Sequence, residues 1–344
     1  MIMVEKTMRF SIIVPIYNKE CYVRECLESI RNQVFEDFEC LMIDDGSTDS
    51  SSIICKEFST DDDRFKYFYK ENGGLVSARK FGAHQATGEY VINVDADDFI
   101  KNDFLKVINE EIERNSPDTV CFKYTFFRMN KEFKIDIGQV MGFFEGKQIS
   151  EILKKYLFDN EQERVNSGSI LFNICTKAVE RELYIKCQEK VDSRITSGED
   201  TVFTFVWCFY TKRISCIDYD GYMYRQEESS IEHTFNMKYF SNLELVCNEM
   251  MRINDELDGG YQNNIHAYQF YRLERYIYLL AQNSMSYFEF KDKMKQVIND
   301  FPRLIDVRFL NRFRVSNTIR YLIIKNKFWI ATYILAKTRY KDKL

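Results

Sequence analysis

Proline and glycine are scarce, at 3 and 13 in 344 residues, so the chain has little material for extended low-complexity linkers. No internal repeat is found in it. No stretch reaches the roughly 18–20 apolar residues of a membrane-spanning helix. At the N-terminus Glu5 and Lys6 interrupt the apolar character. The apolar run from Phe10 to Ile16 holds Ser11 and Pro15 and is too short for a signal-peptide core with a cleavage site. Ten cysteines are scattered without a CxxC pair. That argues against zinc or a disulfide framework and for reduced thiols in a cytoplasmic protein. The terminal "KDKL" looks like an endoplasmic-reticulum retention signal, but without a secretory signal it reads as chance. No GxGxxG or Walker pattern follows the first strand-like run, so a dinucleotide or P-loop site lacks its main feature.

What is present is an ordinary globular composition, 45% hydrophobic and 29% charged. The length suits two domains, or one domain with an appendage. Net charge is −5 but uneven. From Phe301 to Leu344 there are 11 Lys+Arg against 2 Asp+Glu, so +9, and the rest carries −14. An acidic body with a basic tail points to an anionic partner for the tail.

The first hundred residues alternate strand and helix. "FSIIVPIY" (Phe10–Tyr17) is a near-continuous apolar run, as in a strand buried on both faces. Asn18 is placed to cap the next helix, which puts Tyr22, Val23, Cys26, Leu27 and Ile30 on one face. "FECLMID" (Phe38–Asp44) is the second strand. A turn follows, with a cap at Ser47 or Thr48 and a helix that turns Ile53, Ile54 and Phe58 inward. "RFKYFY" (Arg64–Tyr69) is a third, alternating strand, Val76–Ala86 a helix, and "YVINV" the fourth strand. This order predicts an α/β fold with a parallel, doubly wound sheet. Ligands of such sheets sit outside the carboxyl ends of the strands. Three polar clusters fall at those ends: Tyr17–Glu20, Asp44–Asp49 and Asp95–Asp98.

Asp95-Ala96-Asp97 sets two hard oxygen ligands around a small residue, which suits Mg²⁺ or Mn²⁺ shared with phosphate oxygens. The same pattern also serves as a turn or cap, and Asp98 reads as a turn or helix-start residue. Tyr17 could stack on a base or close the edge of the core. "DDGSTD" could accept hydrogen bonds from a base or ribose, or be a plain Asp-Gly turn. Arg79 is either a ligand contact or a solvated helix charge. A phosphoacceptor receiver domain needs about 120 residues and a late lysine, and neither matches.

Taken together, "SIIVPIYNKECYVRECLESIRNQVFEDFECLMIDDGSTDSS" and "YKENGGLVSARKFGAHQATGEYVINVDADDF" strongly resemble glycosyltransferase family 2, the GT-A fold transferases that use nucleotide-diphosphate sugars. The resemblance is close over residues 9–110 and continues more weakly to about 235, through "SGED" (Ser197–Asp200) and "YMYRQEESSI" (Tyr222–Ile231). It implies a Rossmann-like mixed sheet with a nucleotide-sugar half at 1–110, an acceptor half at 111–234, and a helical region at 235–344. It implies that Pro15, Tyr17 and Asn18 line the base pocket, with Tyr17 stacking on the base. Glu20 would lie near ribose or base, and Asp45, with Asp44 beside it, would accept from the base edge. Arg79 would lie near the nucleotide, Asp95 near the ribose and the metal, and Asp97 on the divalent metal, Mn²⁺ or Mg²⁺. Asp200 would be the general base and Glu199 its neighbour, orienting the acceptor. Arg225 and Ser230 would sit on a loop closing over the diphosphate. His233 and Glu228 could reach the metal or be surface residues.

The chemistry fits. Displacement at an anomeric carbon needs a base on the acceptor hydroxyl and help for the leaving diphosphate. An Asp beside Glu199 should feel like-charge repulsion that raises its carboxyl pKa, which helps a base. The same pair could instead cap the apolar helix "TVFTFVWCFY" at its favourable end. There are two departures from the family, and the second lies in a segment that usually borders the acceptor. Lys80 stands where Asn is common, and "NICTKAVERELY" lacks Trp-Asn before Lys177.

From about Phe235 helical spacing takes over, with an aromatic stripe expected in the core. Residues 318–344 mix Leu322, Ile323, Trp329, Ile330 and Leu335 with Arg320, Lys325, Lys327, Lys337 and Arg339. That reads as an interfacial helix with basic flanks or as a packed C-terminal helix. The expectation is an inverting, metal-dependent transferase, using a UDP-sugar and a glycan or lipid-linked acceptor. It would build surface polysaccharide or glycoconjugate for the cell envelope at the cytoplasmic face of the membrane. Nucleic acid is not an expected partner, and a homo-oligomer stays open. The alternatives are a nucleotidyltransferase, disfavoured by the glycine-free "YNKECY", and a catalytically silent membrane-docked protein.

Overall fold

The computed structural model of the chain describes residues 8–129, 131–134, 141–149, 173–226, 236–284, 286–304 and 322–339. The chain divides into two compact units, residues 1–227 and 228–344.

In the first unit the alternation of the sequence is realised as β1 (Phe10–Ile16), α1 (Val23–Arg31), β2 (Phe38–Asp44), α2 (Ser51–Asp61), β3 (Phe65–Tyr69), α3 (Leu75–Gln85) and β4 (Tyr90–Asn93). The strands lie side by side in the order β3-β2-β1-β4, all parallel. Every residue of β1 and β2 is buried, as the near-continuous apolar run foretold for β1; β2 also buries Glu39 and Asp44. The edge strand β3 alternates instead. Ile12, Val14 and Ile16 pack with Val23, Cys26, Leu27 and Ile30 of α1 and with Cys55 and Phe58 of α2. Ile13 and Ile43 face α3, where a side-chain carbon on Gly82 would come within 2.7 Å of Ile13. Only glycine lets α3 lie this close to the sheet.

The next elements are β5 (Phe99–Ile100), α4 (Phe104–Asn115), β6 (Thr119–Cys121), β7 (Tyr124–Arg128), β8 (Lys131–Phe133), β9 (Gly142–Glu145), β10 (Lys177–Glu180), α5 (Arg181–Glu189), α6 (Glu199–Tyr210), β11 (Arg213–Cys216) and β12 (Tyr222–Arg225). They make the sheet mixed. The order continues from β4 to β10, β6, β11 and β9, with β10 antiparallel to both β4 and β6. A second sheet, β5-β12-β7-β8, lies apart from it. The two halves expected in this unit therefore share one sheet, joined where β4 pairs with β10.

Several local expectations shift. Asn18 does not cap α1, which begins after Tyr22; Asn18 sits in the left-handed region at φ 52. Its side-chain oxygen instead accepts from the Thr48 amide at 2.8 Å, and its own amide donates to Ser47 Oγ at 3.1 Å. Ser47 and Thr48 are thus spent on this cross-link, and α2 starts later, after Ser50. Ser51, Cys55 and Phe58, at helical spacing, form the buried face, and Ile53 falls on the opposite side, 61% exposed.

The second unit is helical: α7 (Lys238–Glu256), α8 (Gln262–Asn283), α9 (Tyr287–Asp300) and α10 (Trp329–Arg339). The aromatic stripe is core, with Tyr268, Phe270, Tyr276 and Tyr278 buried and Tyr276 stacked on Tyr239 at 5.1 Å. In α10 the buried residues are Trp329, Thr332 and Ala336, at helical spacing, while Ile330 and Ile334 are 60% and 54% exposed. Lys337 donates to the Gln282 carbonyl at 3.2 Å. Among the described residues no helix is long and apolar enough to cross a membrane.

Candidate active site

Parallel pairing puts the carboxyl ends of β1, β2 and β4 on one edge, since Ile16 aligns with Asp44 and Ile13 with Asn93. The three polar clusters follow those ends. Pro15 is buried within β1, and Tyr17, just past it, is 50% exposed. Glu20 accepts from the Ser50 amide at 2.9 Å, so it braces the start of α2. Asp44 is fully buried and accepts from the Ser47 amide at 2.8 Å and the Tyr67 hydroxyl at 2.7 Å. Asp45 accepts from the Gly73 and Gly74 amides at 3.0 and 2.7 Å and pairs with Lys70. It thereby fixes the loop that leads into α3.

Arg79 is not a solvated helix charge. It is 2% exposed, one turn before Gly82 on the face of α3 that lies on the sheet. Its guanidinium reaches Asp95 at 3.1 Å, Asp200 at 2.9 Å and Glu199 at 3.4 Å. Burial works against its charge, but Asp95, Asp200 and Glu199 outweigh it and keep the group protonated. Asp95 is raised above the usual carboxylate range by burial, with Arg79 pulling the other way. Burial and then the charge of Asp200 push Glu199 up to about 7, against Arg79. The like-charge effect expected in this pair therefore appears on Glu199.

Gly198, at φ 88, turns the chain into α6 and sets Glu199 and Asp200 in the first helical turn. Carboxylates are favourable there. The second Asp200 oxygen accepts from the Ile174 amide at 3.4 Å. The pair therefore sits at the end of α6 where negative charge is favourable, while Asp200 also reaches Arg79.

Asp98 is more than a turn residue. Its amide does donate to the Asp95 carbonyl at 2.9 Å, as in a turn. Yet its side chain is 2% exposed and accepts from the Tyr222 hydroxyl at 2.7 Å and the Arg225 amide at 2.8 Å. Burial, then Asp95 and Asp97, raise it well above the carboxylate range. Arg225 ends strand β12 rather than lying in a loop. Its guanidinium donates to the Asp97 carbonyl at 2.8 Å and to Glu25 at 2.5 Å, among the rings of Tyr22, Phe99 and Phe127. Ser230, His233 and Glu228 lie outside the described residues.

Two residues of the site carried no signal in the sequence. Lys19 pairs with Asp97, and Tyr222, fully buried, links Asp98 to the Asp95 amide at 3.2 Å. Lys19 lies in the cluster after β1 but gave no sign of its partner, and Tyr222 comes beside Asp98 through the antiparallel pairing of β12 with β5. Lys177, beside the departure from the family motif, is fully buried and donates to the Asn173 carbonyl at 2.8 Å.

The donor set suits a hard divalent cation. Asp95 and Asp97 offer carboxylate oxygens at a strand end, with side chains 28% and 31% exposed. One or two carboxylates completed by phosphate oxygens make a sufficient magnesium or manganese site. Asp97 already faces a cation in Lys19, so it is built to meet positive charge.

The glycosyl transferase family 2 model matches residues 11–184, just over half of the chain. Glycosyltransferase GlyA of Streptococcus pneumoniae is 41% identical over 119 residues, 35% of this chain and 17% of that protein. Uncharacterized glycosyltransferase EpsJ of Bacillus subtilis is 27% identical over 64% of this chain and 62% of its own length. The chain thus spans less than two thirds of these relatives. Among solved structures, Staphylococcus aureus TarS is similar with a TM-score of 0.63 at 21% identity, over 98% of this chain and 56% of TarS. The 1–349 portion of TarS in complex with UDP-GlcNAc gives 0.62 at 21% identity, over 97% of this chain and 92% of that one. The mixed sheet is therefore that of the GT-A transferases. On this match, and with the polar clusters of β1, β2 and β4 gathered on one edge, the chain belongs to glycosyl transferase family 2.

Proposed function

We propose that the protein is an inverting, metal-dependent glycosyltransferase that moves a sugar from a UDP-sugar to a hydroxyl of a glycan or lipid-linked acceptor. The observation that carries this reading is the guanidinium of Arg79 holding Asp95 of the donor edge and Asp200 of α6 together. Family membership supports it, and TarS, of the same fold, has been solved with UDP-GlcNAc.

In this reading the exposed ring of Tyr17 stacks on the base, and Asp45 and Asn18 shape the pocket edge through the loops they pin. Asp95 receives the ribose. Asp97, with Asp95 beside it, would hold the divalent cation, which supplies charge neutralisation to the departing diphosphate. Asp200 takes the proton of the acceptor hydroxyl as its oxygen attacks the anomeric carbon from the face opposite the diphosphate, so configuration inverts. Arg79 keeps the Asp200 carboxylate aimed. Glu199, pushed up to about 7 by burial, can share its proton with the acceptor near neutral pH. The product chemistry suits assembly of surface polysaccharide or glycoconjugate at the cytoplasmic face of the membrane. The exposed Ile330 and Ile334, with Lys325 and Lys327 nearby, would rest on it.

The test is a panel of nucleotide sugars with Mn²⁺, read as transfer to glycan or lipid acceptors. Asp200→Asn is expected to lower the transfer rate by about 10²–10⁴-fold, the range of a lost general base. Unchanged rates in both Asp97→Ala and Asp200→Asn would refute the assigned site.

A further inference from the structure

Three carboxylates fall within four positions after β4, and each has its own partner. Asp95 meets Arg79, Asp98 meets Tyr222 and the Arg225 amide, and Asp97 meets the ammonium of Lys19. Arg79, Asp98 and Tyr222 are buried and Asp95 is 28% exposed; only the Lys19–Asp97 pair is open on both sides, at 34% and 31%.

Lys19 is placed for this contact by the turn after β1. The left-handed Asn18 swings the chain across to α2, and the Lys19 amide donates to Ser51 Oγ at 2.9 Å. From that anchored backbone its side chain passes the Tyr22 ring at 5.9 Å to Asp97. The Asp97 main chain is fixed separately, through its carbonyl and Arg225. The carboxylate can therefore change its cation without moving the strand end.

We propose that Lys19 is the resident counter-ion of Asp97 and that a divalent cation binds by displacing its ammonium. The inference rests on the reading of Asp97 as a metal ligand. An ammonium and a divalent cation a few ångströms apart repel strongly, so one carboxylate does not hold both at contact. Metal binding is then an exchange, and Lys19 lowers the affinity of the empty site. It guards the aspartate cluster against self-repulsion and against casual cations until metal arrives.

The experiment is Mn²⁺ binding to the full chain without donor, followed by the electron paramagnetic resonance of free Mn²⁺ at low salt. Lys19→Met is expected to bind Mn²⁺ about two- to fivefold tighter, roughly 0.4–1 kcal/mol, the strength of a partly exposed ion pair. Lys19→Arg should match the wild type, and raising salt should shrink the gain. Lys106→Met, which removes an exposed charge on α4, controls for net charge and should change nothing. Equal or weaker binding in Lys19→Met overturns the proposal, as does an equal gain in Lys106→Met. Asp97→Asn separates the two ideas. If it binds Mn²⁺ like the wild type, the metal reading of Asp97 fails and the exchange with it. If it loses binding while Lys19→Met shows no gain, the exchange alone fails.

Discussion

Arg79 and Asp200 stand 2.9 Å apart, although 121 residues separate them in the chain. Arg79 belongs to α3, on the parallel part of the sheet, and Asp200 to the first turn of α6. One buried cation therefore ties together two parts of the chain that are far apart in sequence.

Removing that cation leaves Asp95, Glu199 and Asp200 facing one another in a poorly solvated place. Losing one partner of a buried charge pair typically costs about 3–5 kcal/mol. Arg79→Met should therefore lower the melting temperature markedly and abolish transfer. Arg79→Lys keeps the charge but loses the fork that spans Asp95 and Asp200. It is expected to fold, keep donor KM within about threefold and lose roughly 10²-fold in kcat, as expected for a misplaced base. Equal damage to KM and kcat would mean that Arg79 touches the donor instead.

Glu199 gives a stability test with a definite sign. Its pKa rises from an ordinary 4.5 to about 7 on folding. Between those values the native chain holds a proton that the unfolded chain has released. Its contribution to stability therefore falls as pH rises through that window. Glu199→Gln removes the dependence, so its melting temperature relative to wild type should climb from pH 5 to pH 8. A difference that is flat or that falls with pH would show that Glu199 stays ionised.

Tyr17 is tested through the donor alone. Stacking of a base on an aromatic ring is worth about 1–3 kcal/mol. Tyr17→Ala should raise the Kd for UDP roughly tenfold by calorimetry, with no change in melting temperature because the ring is half exposed. Tyr17→Phe should restore binding. An unaltered Kd would move the base elsewhere.

The basic tail makes a separate prediction. Vesicles with anionic lipid should retain the wild type by co-sedimentation, and Ile330→Asp with Ile334→Asp should release it. Both residues are exposed on α10, so the double variant should keep its fold. Retention of the double variant would leave α10 as a packed helix only.

The alternating strands and helices were legible because burial writes its period into the residues. A near-continuous apolar run marked β1 as a buried strand, and its register with β2 then gathered the polar clusters. What escaped was set by partners far away in sequence. Asn18 has the composition of a cap, yet Ser47 and Thr48 recruit it into a left-handed turn. Ile53 was read inward for its apolar side chain, although it lies off the face that Ser51, Cys55 and Phe58 share. Asp98 was read as a turn because its partners, Tyr222 and Arg225, come more than a hundred residues later. Arg79 fitted a surface charge equally well until Gly82 drew its helix onto the sheet.

The pairing of β4 with β10 has a consequence for how this fold can vary. The two strands are neighbours in one sheet, about 4.8 Å apart, so the parallel part of the sheet and the part that follows it are held at the spacing of the hydrogen-bond ladder. Sequence can then change in the segments around that ladder while the spacing itself is inherited unchanged.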